Sequence, residues 1–209
     1  MIRVLIAAVC YLTLFVGIEV ITIRARLDKE LSRKAAHILA GTSAAFLPLV
    51  MSFKEIMVLS LLFLPVMLLS KRKNLFSSIH QVSRTTYGEV YFPISIFLTA
   101  LLFPEAKIYM YGILIMSLSD GLASVIGQKF GAKKYRLWQG EKSYAGSATF
   151  LLSAFLLGLI LLPAVNPAGI ASVLLLAAIL TVVEASLSYG FDNLFLPPIA
   201  GGLFLLITR

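Results

Sequence analysis

Long apolar runs alternate with short polar segments along the whole chain. The runs lie near residues 2–23, 35–51, 56–70, 90–103, 108–127, 145–162, 168–189 and 194–207. A helix that crosses the hydrocarbon core of a bilayer needs about 20 mostly apolar residues, and fewer when flanking side chains reach the interface. The third, fourth and eighth runs are short. The pattern therefore predicts an all-α, polytopic transmembrane helical bundle of seven or eight spans.

The composition points to the same class. Of the 209 residues, 59% are hydrophobic and 13% are charged, whereas a soluble domain is about 45–50% apolar and about 25% charged. No polar stretch is long enough to fold separately, so we expect residues 1–209 to form a single membrane domain. Arg3 and the apolar run 4–16 partly resemble a signal peptide, but Glu19 and bulky residues follow where small residues would mark cleavage. We therefore expect a retained first helix.

The basic residues are concentrated in three of the connections between runs. Loops 24–34, 71–89 and 128–144 hold most of the 18 lysines and arginines. By the positive-inside rule these loops are cytoplasmic, and eight spans would place both termini outside. The net charge of +8 then indicates contact with anionic lipid headgroups rather than with nucleic acid. The single cysteine, Cys10, excludes an intrachain disulfide, and His80 has no visible ligand set, so we interpret it as a surface residue.

A first polar group opens the second apolar run. Arg33 lies four residues and Lys34 three residues before His37, so one face of a helix can present all three side chains. Such a face suits a polyphosphate. The same pattern also fits a helix whose basic side chains reach the membrane interface beside an interfacial histidine, and the spacing alone does not distinguish these two interpretations.

Carboxylates in two other runs need an explanation, because a charge at the centre of a bilayer costs about 2.5–3.5 kcal/mol on insertion scales. Asp120 lies in a stripe of small and polar residues at positions 117, 120, 124 and 127. Small residues leave room beside a carboxylate that could hold Mg²⁺, which typically uses one or two carboxylates plus substrate phosphates. Glu184, followed by Asp192 in the next turn, brings further carboxylates to the same side. A buried hydrogen bond or ion pair between helices is the alternative.

Between these carboxylates lies a polar segment at residues 140–147. Lys142, Ser143 and Gly146 stand at the start of an apolar run, where a lysine and backbone N–H groups can hold phosphate. The segment is only superficially similar to a Walker A loop, since the earlier glycine and the strand–loop–helix context are missing.

These segments, taken in order, resemble the CTP-dependent lipid kinases, which include dolichol or polyprenol kinase, phytol kinase and CTP-dependent diacylglycerol kinase. The matching segments are Arg33-Lys34 with His37, Gly88-Glu89 with Pro93, Ser119-Asp120-Gly121, Lys142-Ser143 with Gly146-Ser147, and Glu184 with Asp192-Asn193 and Pro197. Ser119 replaces the first glycine of the family's G-D pair. Each segment is weak alone, but five in order, from residue 33 to residue 197, form a strong resemblance.

The resemblance implies an enzyme that transfers the γ-phosphoryl group of CTP to the hydroxyl of a membrane isoprenoid alcohol at the cytoplasmic face. It implies Mg²⁺ as cofactor and, as partners, the lipid alcohol, a nucleoside triphosphate and the membrane. Mg²⁺ would be held by Asp120, with Glu184 or Asp192 as further ligands. The phosphates would be held by Arg33, Lys34, Lys134, Lys142, Ser143 and Gly146. His37 or Glu89 would accept the proton of the hydroxyl.

Two alternatives belong to other classes. CDP-diacylglycerol synthase shares the two middle segments, but its closing lysine-rich signature is missing here, since no lysine follows Lys142. A small transporter also keeps carboxylates in broken helices. It would need a polar path across the bilayer, whereas these carboxylates cluster on one side.

Overall fold

The computed structural model describes residues 1–73, 75–76, 87–137, 140–162 and 166–209, and this part of the chain contains eight helices and one β-hairpin. The helices are α1 (Ile2–Arg24), α2 (Lys29–Ala45), α3 (Phe53–Arg72), α4 (Gly88–Leu102), α5 (Ala106–Phe130), α6 (Tyr144–Leu161), α7 (Pro167–Ser186) and α8 (Asp192–Thr208). Strands β1 (Lys134–Leu137) and β2 (Gly140–Ser143) pair antiparallel. Residue 74 and residues 77–86 of the predicted basic loop 71–89, among them His80 and Arg84, lie outside the described residues.

The prediction of an all-α membrane bundle is confirmed. Among the described residues, five helices are long and apolar enough to cross a membrane, namely α1, α3, α5, α6 and α7, and α4 and α8 are shorter apolar helices. The remaining helix, α2, begins with polar turns and is in neither group, so the choice between seven and eight spans stays a prediction. The chain is an integral membrane protein.

The second helix differs from its predicted bounds. The apolar run begins near residue 35, whereas α2 begins at Lys29 because Asp28 caps it and accepts a hydrogen bond from the Leu31 N–H at 2.9 Å. The helix ends at Ala45, and a 3₁₀ turn at Leu47–Leu49, which contains Pro48, follows it. The polar first turns of α2 are therefore helical, although hydropathy alone excludes them.

Helix α5 lies at the centre of the bundle. It is the most deeply buried of the long helices, and the side chains of Tyr109, Tyr111 and Met116 are inaccessible to solvent. Close approach by its neighbours depends on glycine: a Cβ atom at Gly112 would lie 2.5 Å from the Pro197 carbonyl oxygen on α8. Within α5, residues Ile115–Asp120 form a π-helical segment, a local irregularity that is frequent at functional sites.

The polar segments meet at one end of the bundle. Lys71 at the end of α3 donates to Glu89 at the start of α4 at 2.6 Å, and Asn193 at the start of α8 donates to the Gly88 carbonyl at 3.0 Å. At the opposite end, the Arg3 guanidinium donates to the Val50 carbonyl at 3.1 Å. These polar segments therefore lie at the same end of the bundle, and the side of the membrane that this end faces stays a prediction.

Candidate active site

A cavity of about 620 Å³ opens at the polar end of the bundle and extends between α1, α2, α3 and α4. This volume is in the range of small-molecule sites, about 300–1,000 Å³. Seven predicted site residues line its polar end: Arg33, Lys34, His37, Glu89, Asp120, Lys142 and Asp192. Residues as far apart in the chain as Arg33 and Asp192 thus contribute to a single site.

Asp120 ends the π-helical segment and is only 7% exposed. Within the described residues its carboxylate accepts no hydrogen bond. Gly121, the next residue, lets α2 approach, since a Cβ atom there would lie 2.4 Å from the Ile38 side chain. A nearly buried carboxylate without a hydrogen-bond donor needs a cation or another polar partner to offset its desolvation.

His37 is fixed in one orientation. Its Nε2 lies 3.0 Å from the Met116 carbonyl oxygen in the π-helical segment, and its ring contacts Phe92 edge-on. Because a carbonyl can only accept a hydrogen bond, the proton is assigned to Nε2, which leaves Nδ1 of a neutral imidazole as an acceptor. His37 can therefore receive a proton from a bound hydroxyl.

The cationic side of the cavity comes from α2 and the hairpin. Arg33 contributes Nη1, which is buried and has no hydrogen-bond partner among the described residues. Lys34 and Lys142 line the same end. An unpaired guanidinium N–H beside two ammonium groups is suited to phosphate oxygens, which form short, charge-assisted hydrogen bonds.

Lys142 is held by a buried partner. It forms a hydrogen-bonded ion pair with Glu184, whose side chain is 6% exposed compared with 20% for Lys142. Burial disfavours the charged ammonium, but the carboxylates of Glu184, Asp120 and Asp192 outweigh that effect, so the pKa of Lys142 is raised above its ordinary value. The side chain therefore carries a positive charge at neutral pH.

Asp192 and Asn193, the first two residues of α8, close the site. The Asp192 Oδ1 accepts a hydrogen bond from the Asn193 backbone N–H at 2.8 Å, and the Asn193 amide binds α4. The turn between α7 and α8 contains Tyr189 and Gly190, whose φ angles of 58° and 90° reverse the chain. This reversal brings the Asp192 carboxylate back over the cavity.

Four predicted site residues are not among those that line the cavity. Lys134 is exposed on the hairpin, and its Nζ lies 3.6 Å from the Glu141 carboxylate. Ser143 caps α6 by accepting from the Gly146 N–H at 3.0 Å, and a Cβ atom at Gly146 would lie 2.9 Å from the Ala123 carbonyl. Glu184 does not line the cavity itself but is paired with Lys142, which does. The structure gives Ser143 and Gly146 positions between α5 and α6, where they allow the two helices to pack closely.

The described residues contain no group of three or more acidic, histidine or cysteine side chains placed to hold a metal ion. The donor set nevertheless fits Mg²⁺, which takes one or two carboxylates and completes its shell with substrate phosphates and water. Asp120 and Asp192 both line the cavity. Glu184 is engaged by Lys142, so its predicted role as a metal ligand requires that this pair separate.

Two features of the site were not predicted. The sequence predicted a phosphate-holding segment at residues 140–147 but no β-hairpin there, and the hairpin residues Gly140 and Glu141 form part of the wall at the polar end. The rest of the cavity is mostly apolar. Besides Tyr11 and Ser60, whose hydroxyls are hydrogen-bonded to Ser43 and to the Ile56 carbonyl, it is lined by the following residues of α1–α4: Phe15, Ala36, Ala40, Ala44, Ile56, Leu59, Phe63, Met67 and Ile96. No motif indicated this apolar half, because it depends on which faces of four helices meet.

The fold and cavity define a polytopic membrane protein with a polar site at one end of its bundle that continues into an apolar pocket. No known family model matches the chain, and no solved structure matches it significantly. It is 30% identical to phytol kinase of Synechocystis over 139 residues, which is 63% of this chain and 59% of the relative. It is 27% identical to phytol kinase 1 of Arabidopsis thaliana, over 71% of this chain and 53% of the relative.

A third relative, an uncharacterised protein of Methanocaldococcus jannaschii, is 28% identical over 81% of this chain and 89% of its own length. The chain thus spans between half and two thirds of the phytol kinases, and most of the archaeal protein. The resemblance to the lipid kinase family is confirmed by these relatives. The relation to CDP-diacylglycerol synthase stays a prediction.

Proposed function

We propose that the protein is a CTP-dependent kinase that transfers the γ-phosphoryl group to the hydroxyl of a membrane isoprenoid alcohol. The observation that carries this proposal is the shape and polarity of the cavity. One continuous space joins cations and carboxylates at its polar end to an apolar pocket inside the bundle. A lipid alcohol has this same division, with a reactive polar head and a hydrocarbon tail.

Phosphoryl transfer depends mainly on positioning and charge neutralisation. Arg33, Lys34 and Lys142 would bind the phosphate oxygens of the nucleotide. Asp120 and Asp192 would hold Mg²⁺, which, when bound, neutralises phosphate charge as it develops. In this arrangement Glu184 keeps Lys142 in place.

The acceptor hydroxyl would approach His37 from the apolar side. Its oxygen attacks the γ-phosphorus, the bond between the γ-phosphorus and the bridging oxygen breaks, and CDP leaves. The proton of the hydroxyl passes to His37 Nδ1, because Nε2 is already bound to Met116. Glu89, the other predicted base, is paired with Lys71 at 2.6 Å and suits this role less well.

The names of the relatives favour a phytol-type alcohol as the acceptor. We further propose that the polar end faces the cytoplasm, where CTP is available, since the basic loops 24–34 and 128–144 belong to this end. Lys134, which is exposed on the hairpin and does not line the cavity, would attract the nucleotide without contacting the reacting group.

The test is phosphorylation by purified protein. The protein in lipid nanodiscs is incubated with CTP labelled on the γ-phosphate, with Mg²⁺ and with a panel of alcohols that includes phytol, a polyprenol and diacylglycerol. We expect Mg²⁺-dependent label in an isoprenoid phosphate, which is lost in Asp120→Asn. The matched control Glu105→Gln changes an exposed carboxylate at the opposite end and should retain activity. Absence of label in every alcohol would refute the proposal.

A further inference from the structure

The apolar half of the cavity has one unusually smooth wall. Ala36, Ala40 and Ala44 are four residues apart, so they lie one above another on a single face of α2. All three are at most 4% exposed, yet all three line the cavity. Small residues in membrane helices commonly allow another helix to approach. Here they face a space between helices instead, and their small size creates it.

The opposite wall is formed by larger side chains of α3. Ile56, Leu59, Phe63 and Met67 follow the same helical face, and the distance along α3 from Met67 to Ile56 is about 16 Å at the rise of an α-helix. The pocket therefore runs parallel to the helices and across the membrane, in the direction in which a lipid tail lies.

Leu47 and Ile56, which lie farthest along the chain from the polar ends of α2 and α3, line the pocket and are taken as its floor. They pack in one core cluster with Tyr109, whose hydroxyl donates to the Ala44 carbonyl at 3.1 Å and whose ring contacts Phe53 edge-on. Tyr109 and Ile56 are fully buried. Because these groups belong to the packed core, the floor is rigid and limits the length of a bound chain.

The depth of each alanine can be compared with the length of an isoprene unit. Ala40 and Ala44 lie about 4.5 Å and about 10 Å beyond His37 along the α2 axis. An extended chain advances about 1.2 Å per bond, so an isoprene unit of four main-chain bonds spans about 5 Å. One turn of α2 thus corresponds to roughly one isoprene unit.

We infer that Ala40 and Ala44 are specificity-determining residues that set, together with the floor at Leu47 and Ile56, the length of isoprenoid chain that the enzyme accepts. This inference rests on the proposed function. With the hydroxyl at His37, the tail passes Ala40 first and Ala44 next. A larger side chain at either position would shorten the pocket from that depth onward.

The experiment measures kcat/KM for alcohols of one, two and three isoprene units. In the wild type, we expect efficiency to rise with length until the chain reaches the floor of the pocket. Ala44→Phe, about two units beyond His37, should lower the ratio of three-unit to two-unit efficiency by about tenfold or more, the lower range for one group that no longer fits an apolar pocket. Ala40→Phe, about one unit beyond His37, should also lower the ratio of two-unit to one-unit efficiency. Leu39→Phe, where the wild-type side chain is 52% exposed on the outside of α2, is the matched control and should leave both ratios unchanged.

The series Ala44→Val and Ala44→Leu covers the case in which Ala44→Phe does not fold, and it should change the ratio in order of side-chain volume. Equal loss for all lengths, or unchanged ratios in every folded variant, would overturn the inference while leaving the kinase proposal intact. If the wild type phosphorylates no alcohol, the kinase proposal fails. The inference is then tested by the rise in Tm that each alcohol produces, which should show the same dependence on length in the same variants.

Discussion

The ion pair between Lys142 and Glu184 allows the sharpest test of how the site is built. Glu184→Gln keeps the size and one acceptor oxygen of the side chain but removes its charge. Lys142 would then remain mostly buried without the carboxylate that holds it. Breaking a buried pair by changing one partner costs about 3–5 kcal/mol, and we expect the lower end because a fifth of the Lys142 side chain is exposed.

A loss of about 3 kcal/mol corresponds to a fall in Tm of roughly 6–12 °C for a chain of this size. The assay is thermal unfolding of the purified variant in detergent, together with a double-mutant cycle in which Lys142→Met and Glu184→Leu are measured singly and combined. Lys142→Met combined with Glu184→Leu removes both charges, and replacing a buried pair by apolar residues is often neutral or stabilising. The double variant should therefore regain most of the lost Tm, but it should not regain activity, because the proposed contact of Lys142 with phosphate is removed.

The same cycle separates two roles for Glu184. If Glu184 holds Lys142, the Tm of Glu184→Gln falls and the two changes are strongly non-additive. If Glu184 is a metal ligand, the variant needs more Mg²⁺ for half-maximal activity while its Tm stays near that of the wild type. A wild-type Tm with additive effects in the cycle would refute the positioning role.

Three further changes test other parts of the site. His37→Gln keeps a donor for the Met116 carbonyl but removes Nδ1, so kcat should fall by about 10²–10⁴-fold with an unchanged Tm, and near wild-type kcat would exclude His37 as the base. Asp120→Asn should lower turnover roughly 100-fold or more through lost charge stabilisation, and wild-type turnover at limiting Mg²⁺ would disprove the metal role. Gly146→Ala should lower the Tm because its Cβ would lie 2.9 Å from the Ala123 carbonyl oxygen. Gly17→Ala, whose Cβ would have no atom within 4 Å, is the control and should leave the Tm unchanged. Equal Tm values for the two variants would contradict the packing role of Gly146.

Much of the fold follows from the sequence because the bilayer restricts what a chain can do. Backbone polar groups in lipid must be satisfied within a helix or a closed barrel, so apolar runs near 2–23 and 168–189 predicted α1 and α7 closely. The bounds of α2 were wrong because its first turns are polar, and the Asp28 cap rather than hydropathy decides where it begins. The hairpin was not predicted, since strands of four residues carry no periodic signal.

The polar end of the site was more predictable than the apolar end. Asp120 and His37 stand out because a charged or titratable side chain in a membrane helix is energetically costly and therefore indicates a functional site. The pairing of Lys142 with Glu184 joins residues 42 positions apart, and spacing alone could not distinguish it from a metal site. The pocket beside Ala40 and Ala44 is lined by apolar residues, which in a membrane protein look the same in sequence whether they face lipid, a neighbouring helix or a substrate.

The central claim is that the γ-phosphoryl group reaches a lipid hydroxyl. It is tested most directly by offering the purified protein CTP labelled on either the α- or the γ-phosphate, with Mg²⁺, an isoprenoid alcohol and, in parallel, phosphatidate. We predict that γ-label enters the isoprenoid lipid while α-label stays in released CDP. Entry of the α-label into lipid, with release of pyrophosphate, would contradict the account and identify a cytidylyltransferase instead.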